Sequence, residues 1–164
     1  MTATSDSHRA APARTTRPVV AVALVATSVL LSMSAWFSAT FVVPQLRVEW
    51  ALTGSQASWL TVAVQLGFVL GALGATTSGV TDAIPSRTLM CIGGVGAAAC
   101  NAALLPSDGL GTALPARLGT GVFLALVYPP ALKEVSTWFQ RGRGKALGVM
   151  IGALTIGSAL PHLV

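Results

Sequence analysis

Charge is what this sequence has least of. Only 9% of its 164 residues are Asp, Glu, Lys or Arg, where a soluble domain carries about 25%. Acids are scarcest: Asp6, Glu49, Asp82, Asp108 and Glu134. All lie near the ends of apolar runs or between them, so no acid pair is set for proton transfer inside one. Cysteine is limited to Cys91 and Cys100, both in a Gly/Ala-rich run without a neighbouring His or acid. That excludes a disulfide framework and a metal cluster, and both read as small buried hydrophobes. The chain has no glycine-rich phosphate loop, no nucleophile beside a His and no metal-ligand spacing. Neither an enzyme nor a metal or other cofactor is expected.

What is present is apolar surface. Hydrophobic residues make up 53% of the chain and mean hydropathy is +0.73, which excludes disorder. An integral membrane protein in contact with the lipid bilayer remains. At about 20 residues per spanning helix, the length holds five or six spans and little else. Residues 1–17 form a basic tail, and residues 18–164 divide into spans at about 19–43, 55–78, 88–107, 110–132 and 146–164. Pro18 suits a first helical turn. The first apolar core exceeds the 7–15 residues of a signal h-region, so an uncleaved helix is expected. Gly54-Ser55 supplies a turn and cap for the second span. The run Pro106-Ser107-Asp108-Gly109 closes the third, and Pro129-Pro130 ends the fourth.

Orientation follows from Lys and Arg. With a cytoplasmic N-terminus, Arg9, Arg14, Arg17, Arg87, Lys133, Arg141, Arg143 and Lys145 lie inside and only Arg47 outside. The net charge of +5 is thus a topology signal facing anionic lipid, and nucleic acid is not an expected partner. The expected location is the plasma membrane.

One arginine does not fit that pattern. Arg117 stands inside the fourth span, seven residues past Leu110, about 10 Å deep at 1.5 Å per residue. An intramembrane charge marks function unless its long stem snorkels to the surface. Gln65 is mid-span with Thr61 one turn before it; it requires an interhelical hydrogen bond or a polar pocket. Trp36 and Tyr128 are cavity candidates or interface anchors. His162, late in the fifth span, is a weaker proton-relay candidate. Glycines 67, 71 and 74, then 93, 94 and 96, then 148, 152 and 157 crowd single spans, as close helix packing in lipid requires.

A shift of 86 residues aligns Pro44-Gln45-Leu46-Arg47 with Pro130-Ala131-Leu132-Lys133 and Gly71 with Gly157. A three-plus-three helix repeat leaves such a trace. Three segments then carry a resemblance. Ser78-Gly79-Val80-Thr81-Asp82-Ala83-Ile84-Pro85-Ser86-Arg87 is similar to the loop 2–3 motif Gly-x-x-x-Asp-Arg-x-Gly-Arg-Arg of the major facilitator superfamily. Asp82 and Arg87 match it; Ser78, Ala83, Pro85 and Ser86 depart. Arg117-Leu118-Gly119-Thr120-Gly121 resembles the Arg-x-x-x-Gly motif of its fourth helix. Tyr128-Pro129-Pro130, Trp138-Phe139 and Arg143-Gly144-Lys145-Ala146-Leu147-Gly148 resemble the organic-anion and nitrate/nitrite-like groups.

The resemblance implies an all-α membrane protein whose five transmembrane helices match most of the N-terminal six-helix half of such a transporter. It implies alternating-access transport of a small polar or anionic solute, coupled to protons, in a chain that is incomplete without a C-terminal half. Arg117, Gln65 and Gly121 become transport or coupling residues. Asp82, Arg87 and Arg143 become a cytoplasmic gate, and Trp36 and Tyr128 line the cavity. The rival expectation is a small non-transporting membrane subunit or interaction protein, which keeps the helices and has no cavity.

Overall fold

The computed structural model describes residues 18–138 and positions 144, 148, 151, 152 and 155. The basic tail, Arg143, His162 and nearly all of the fifth span lie outside the described residues. Within them the chain is all α, with no strand. In order the helices are α1 (Pro18–Glu49), α2 (Gly54–Thr77), α3 (Val80–Ala83), α4 (Ser86–Ala102), α5 (Leu110–Leu124) and α6 (Tyr128–Trp138).

Among the described residues three stretches are long and apolar enough to cross a membrane: Ala23–Glu49, Gly54–Thr77 and Leu110–Glu134. The 17 residues of α4 reach about 25 Å at 1.5 Å per residue, slightly less than a hydrocarbon core of about 30 Å. α1 runs past the expected 43 to Glu49, straight through Pro44. Membrane helices tolerate such a proline because neighbouring groups satisfy the one carbonyl it leaves free.

Several boundaries differ from expectation, each for a local reason. The cap of α2 is Thr53, not Ser55. Its hydroxyl accepts the Gln56 N–H at 3.3 Å, while Gln56 Oε1 accepts the Thr53 N–H at 2.9 Å, a reciprocal capping box. α2 stops because Gly79 adopts φ 67°, a left-handed conformation that glycine takes without penalty. The next four residues form the single turn α3 within the loop. Pro129-Pro130 do not end the fourth span. The helix tightens at residues 125–127, where Leu126 and Val127 donate to the carbonyls of Phe123 and Leu124, each at 3.0 Å. It then resumes as α6 to Trp138. Prolines lack an N–H, which breaks the ladder before them but suits the first turn of a new helix.

α2 and α5 form the tightest pair, and glycine is the cause. A Cβ at Gly67 would collide with the Leu118 carbonyl, and one at Gly121 with the Val64 carbonyl; at Gly71 it would lie 2.6 Å from the Val122 oxygen. Lipid tails are as apolar as the helices, so association here rests on close van der Waals contact and hydrogen bonds. α4 seats Gly93 and Gly96 against Phe123. Gly74 meets nothing within 4 Å and does not share the seam of Gly67 and Gly71. The core joins Val29 and Met33 of α1 to Ala97, Leu124, Val127 and Ala131. Cys91 is exposed and Cys100 half-buried, so neither is the fully buried hydrophobe expected; the Gly/Ala run allows α4 to turn one side outward.

Candidate functional site

The candidate residues separate into two polar clusters. The first centres on Arg117. α5 holds it on its inner face, one turn before Gly121, so that its stem enters the space between α1, α2 and α4. The side chain is 1% exposed, which removes the snorkelling alternative. Nε donates to the Leu60 carbonyl of α2 at 3.3 Å. Nη1 donates to the Ala35 carbonyl of α1 at 3.1 Å and to Asn101 Oδ1 of α4 at 3.0 Å, with Ser38 Oγ at 3.5 Å. Nη2 donates to the Trp36 carbonyl at 3.0 Å. Ser38 donates in turn to Asn101 Oδ1 at 3.0 Å.

Every one of these acceptors is neutral. Among the described residues no carboxylate reaches Arg117. The guanidinium fork spreads its donors over three helices, which a lysine ammonium lacks the reach and geometry to do. Its full positive charge thus stays inside the bundle, hydrogen-bonded but not neutralised.

The second cluster lies at the other end. Asp82 of α3 meets Lys133 of α6, Oδ1 to Nζ at 3.0 Å, and Lys133 also donates to the Thr81 carbonyl at 3.3 Å. Arg87 of α4 meets Glu134 of α6, Nε to Oε1 at 3.5 Å. Adjacent residues of α6 thus bridge to both sides of the α2–α4 connection with opposite polarity. Asp82, Lys133 and Arg87 side chains are more than half exposed, and exposed pairs contribute about 0–1 kcal/mol. Such pairs form and break at little cost.

The remaining candidates are scattered. Gln65 is exposed at mid-helix on α2. Trp36 meets Phe68 edge-on, with ring centroids 5.4 Å apart and planes at 72°. Tyr128 packs against the core cluster. Gly121 lies against Val64 and Phe68 of α2. A groove of about 320 Å³ between α2 and α5 is lined by Leu70, Gly74, Ala75, Val80 and Leu126 among others; none of the described candidate residues borders it.

Four residues of these clusters were not singled out from sequence. Asn101 carried a signal, being the one asparagine in the chain and set in an apolar run. Ser38 had none, since serines are spread along the whole first span. Lys133 and Glu134 read only as interface charges, because their partners lie about fifty residues upstream.

The family model described as Major Facilitator Superfamily matches residues 25–160. The match is to the superfamily as a whole and does not support a nitrate/nitrite-like subgroup. No curated protein and no solved structure matches the chain.

Proposed function

This chain belongs to the major facilitator superfamily of membrane transporters, and from that premise we propose that it serves alternating-access transport of a small polar or anionic solute, coupled to protons. The observation that carries this reading is Arg117, a cation 1% exposed and held, among the described residues, by neutral acceptors alone. An uncompensated charge in low dielectric acts over a long range. It favours an anionic group within the bundle and disfavours a second cation. Proton coupling draws support from the likeness of Arg117 and Gly121 to the family's fourth-helix motif.

In this reading the described helices are part of one half of a rocking pair around a midplane site. The Asp82–Lys133 and Arg87–Glu134 pairs serve as the cytoplasmic gate, with Arg143 as a further member. Their small net energy suits a contact that forms and breaks once per cycle. The distribution of Lys and Arg supports a cytoplasmic N-terminus in the plasma membrane. Trp36 and Tyr128 are proposed to border the solute cavity.

The test is flux in proteoliposomes. A panel of small carboxylates, phosphate and neutral polyols is offered with and without an inward proton gradient. Uptake of an anion that rises with the gradient and falls at least tenfold in Arg117→Met supports the reading. The chain is reconstituted together with a C-terminal half, as this reading requires, and a folded, correctly oriented pair that moves no member of the panel opposes it.

A further inference from the structure

Asn101 is the one asparagine in the chain, and the bundle uses one end of its amide. It stands next to last in α4. Side chains of a helix lean back toward its N-terminus, so the amide drops from the helix end toward Arg117. Oδ1 accepts from Arg117 Nη1 and from Ser38 Oγ, each at 3.0 Å. These contacts fix which end of the amide is which. An NH₂ turned the other way would set donors against a guanidinium that can only donate.

The other end, Nδ2, carries two N–H donors and has no acceptor among the described residues. It is not sealed off. Asn101 is half-buried, and no buried side-chain nitrogen or oxygen among the described residues lacks a partner. This NH₂ therefore opens onto accessible space. That space is electrostatically unusual. Nδ2 shares its carbon with the oxygen that touches Nη1, and the guanidinium meets neutral acceptors alone among the described residues. Two free donors thus stand beside a cation whose charge no described neighbour cancels, and low dielectric strengthens its field. Each nitrogen of Arg117 already donates within the bundle, whereas Nδ2 donates to no described residue.

We propose that the Asn101 NH₂ is a contact for the carboxylate of a small monovalent solute, held in the field of Arg117 without touching it. The assignment rests on the transport reading above and narrows its solute class. One uncompensated positive charge balances one negative charge, and a second negative charge would stay unpaired in low dielectric. The NH₂ requires an acceptor, which excludes a cation. α4 ends and α5 begins at the same end of the bundle, the outer end in the proposed orientation, so the contact belongs to the outer half.

The sequence makes the test specific. With heavy nitrogen introduced at the asparagine side chain alone, the full chain in lipid nanodiscs gives a single NH₂ pair in its NMR spectrum, and that pair is Asn101. Propionate, propionamide and inorganic phosphate are titrated separately. Propionate is expected to move the pair downfield to saturation. Its apparent affinity should be at least about tenfold above that of phosphate and of propionamide, which has the same shape without the charge. No saturating shift, or a response to propionamide or phosphate as strong as that to propionate, overturns the proposal. Carboxylate uptake by the chain reconstituted with a C-terminal half, with an unmoved Asn101 resonance, removes this contact and leaves the transport reading. A saturating shift where that pair moves no solute keeps the contact and removes the transport reading.

Discussion

Arg117 and Asn101 meet across 3.0 Å, from α5 to α4, and the partner of the buried cation is a neutral amide. The choice has consequences for both stability and charge. Asn101→Leu removes the acceptor and leaves a guanidinium N–H with only the longer Ser38 Oγ contact at 3.5 Å. Such a loss costs about 1–3 kcal/mol, to be read from denaturant unfolding in micelles. Asn101→Asp keeps the oxygen and neutralises the site. It is expected to retain stability while weakening anion uptake, and unchanged uptake in that variant would count against the charge argument.

Arg117 is also the polar tether of α1. Two of its acceptors, the Ala35 and Trp36 carbonyls, belong to that helix. Among the described residues, α1 otherwise places only Val29 and Met33 in the buried core. Arg117→Met should raise amide hydrogen exchange in α1 far more than in α2, whose glycine seam is untouched. Arg117→Lys should rescue little, because an ammonium does not span the three helices. A uniform rise across all helices would mean that the tether is not specific to α1.

The glycine seam makes a sharper contrast. Gly67→Ala and Gly121→Ala drive a methyl into backbone of the facing helix, and overpacking of this kind costs about 1–3 kcal/mol. Gly74→Ala meets open space and should be neutral or stabilising by up to about 1 kcal/mol, since alanine is the better helix former. Thermal unfolding of the three variants side by side decides it. Equal losses would mean that α2 does not meet α5 along this line.

The Asp82–Lys133 and Arg87–Glu134 pairs are expected to behave as a latch and not as a staple. A double-mutant cycle with Asp82→Asn and Lys133→Met should give a coupling below about 1 kcal/mol. That coupling should shrink further at high salt, because both side chains are exposed. A large, salt-resistant coupling would show the pair to be desolvated.

Read along its length, the chain already declares a membrane-embedded, all-α protein. Scarce charge and apolar runs of spanning length are local properties, and no tertiary partner alters them. The same holds for the strangeness of Arg117 and for glycine at Gly67, Gly71 and Gly121. The exceptions are also local in origin but require backbone geometry. A proline pair reads as a stop, yet at Pro129-Pro130 the chain uses it as a start, because a missing N–H is harmless in a first turn.

What tertiary structure decided is partnership. Nothing in spacing says that the arginine of α5 would find Asn101 on α4 and two carbonyls on α1, or that Lys133 and Glu134 would reach back to Asp82 and Arg87. Those contacts depend on which faces of four helices turn toward one another. In lipid that rotation is set by where two glycines let backbones touch, since no hydrophobic force between helices selects it. Gln65 shows the same division: its polarity and depth were legible from the chain, and only the packed bundle shows it exposed, with no partner among the described residues.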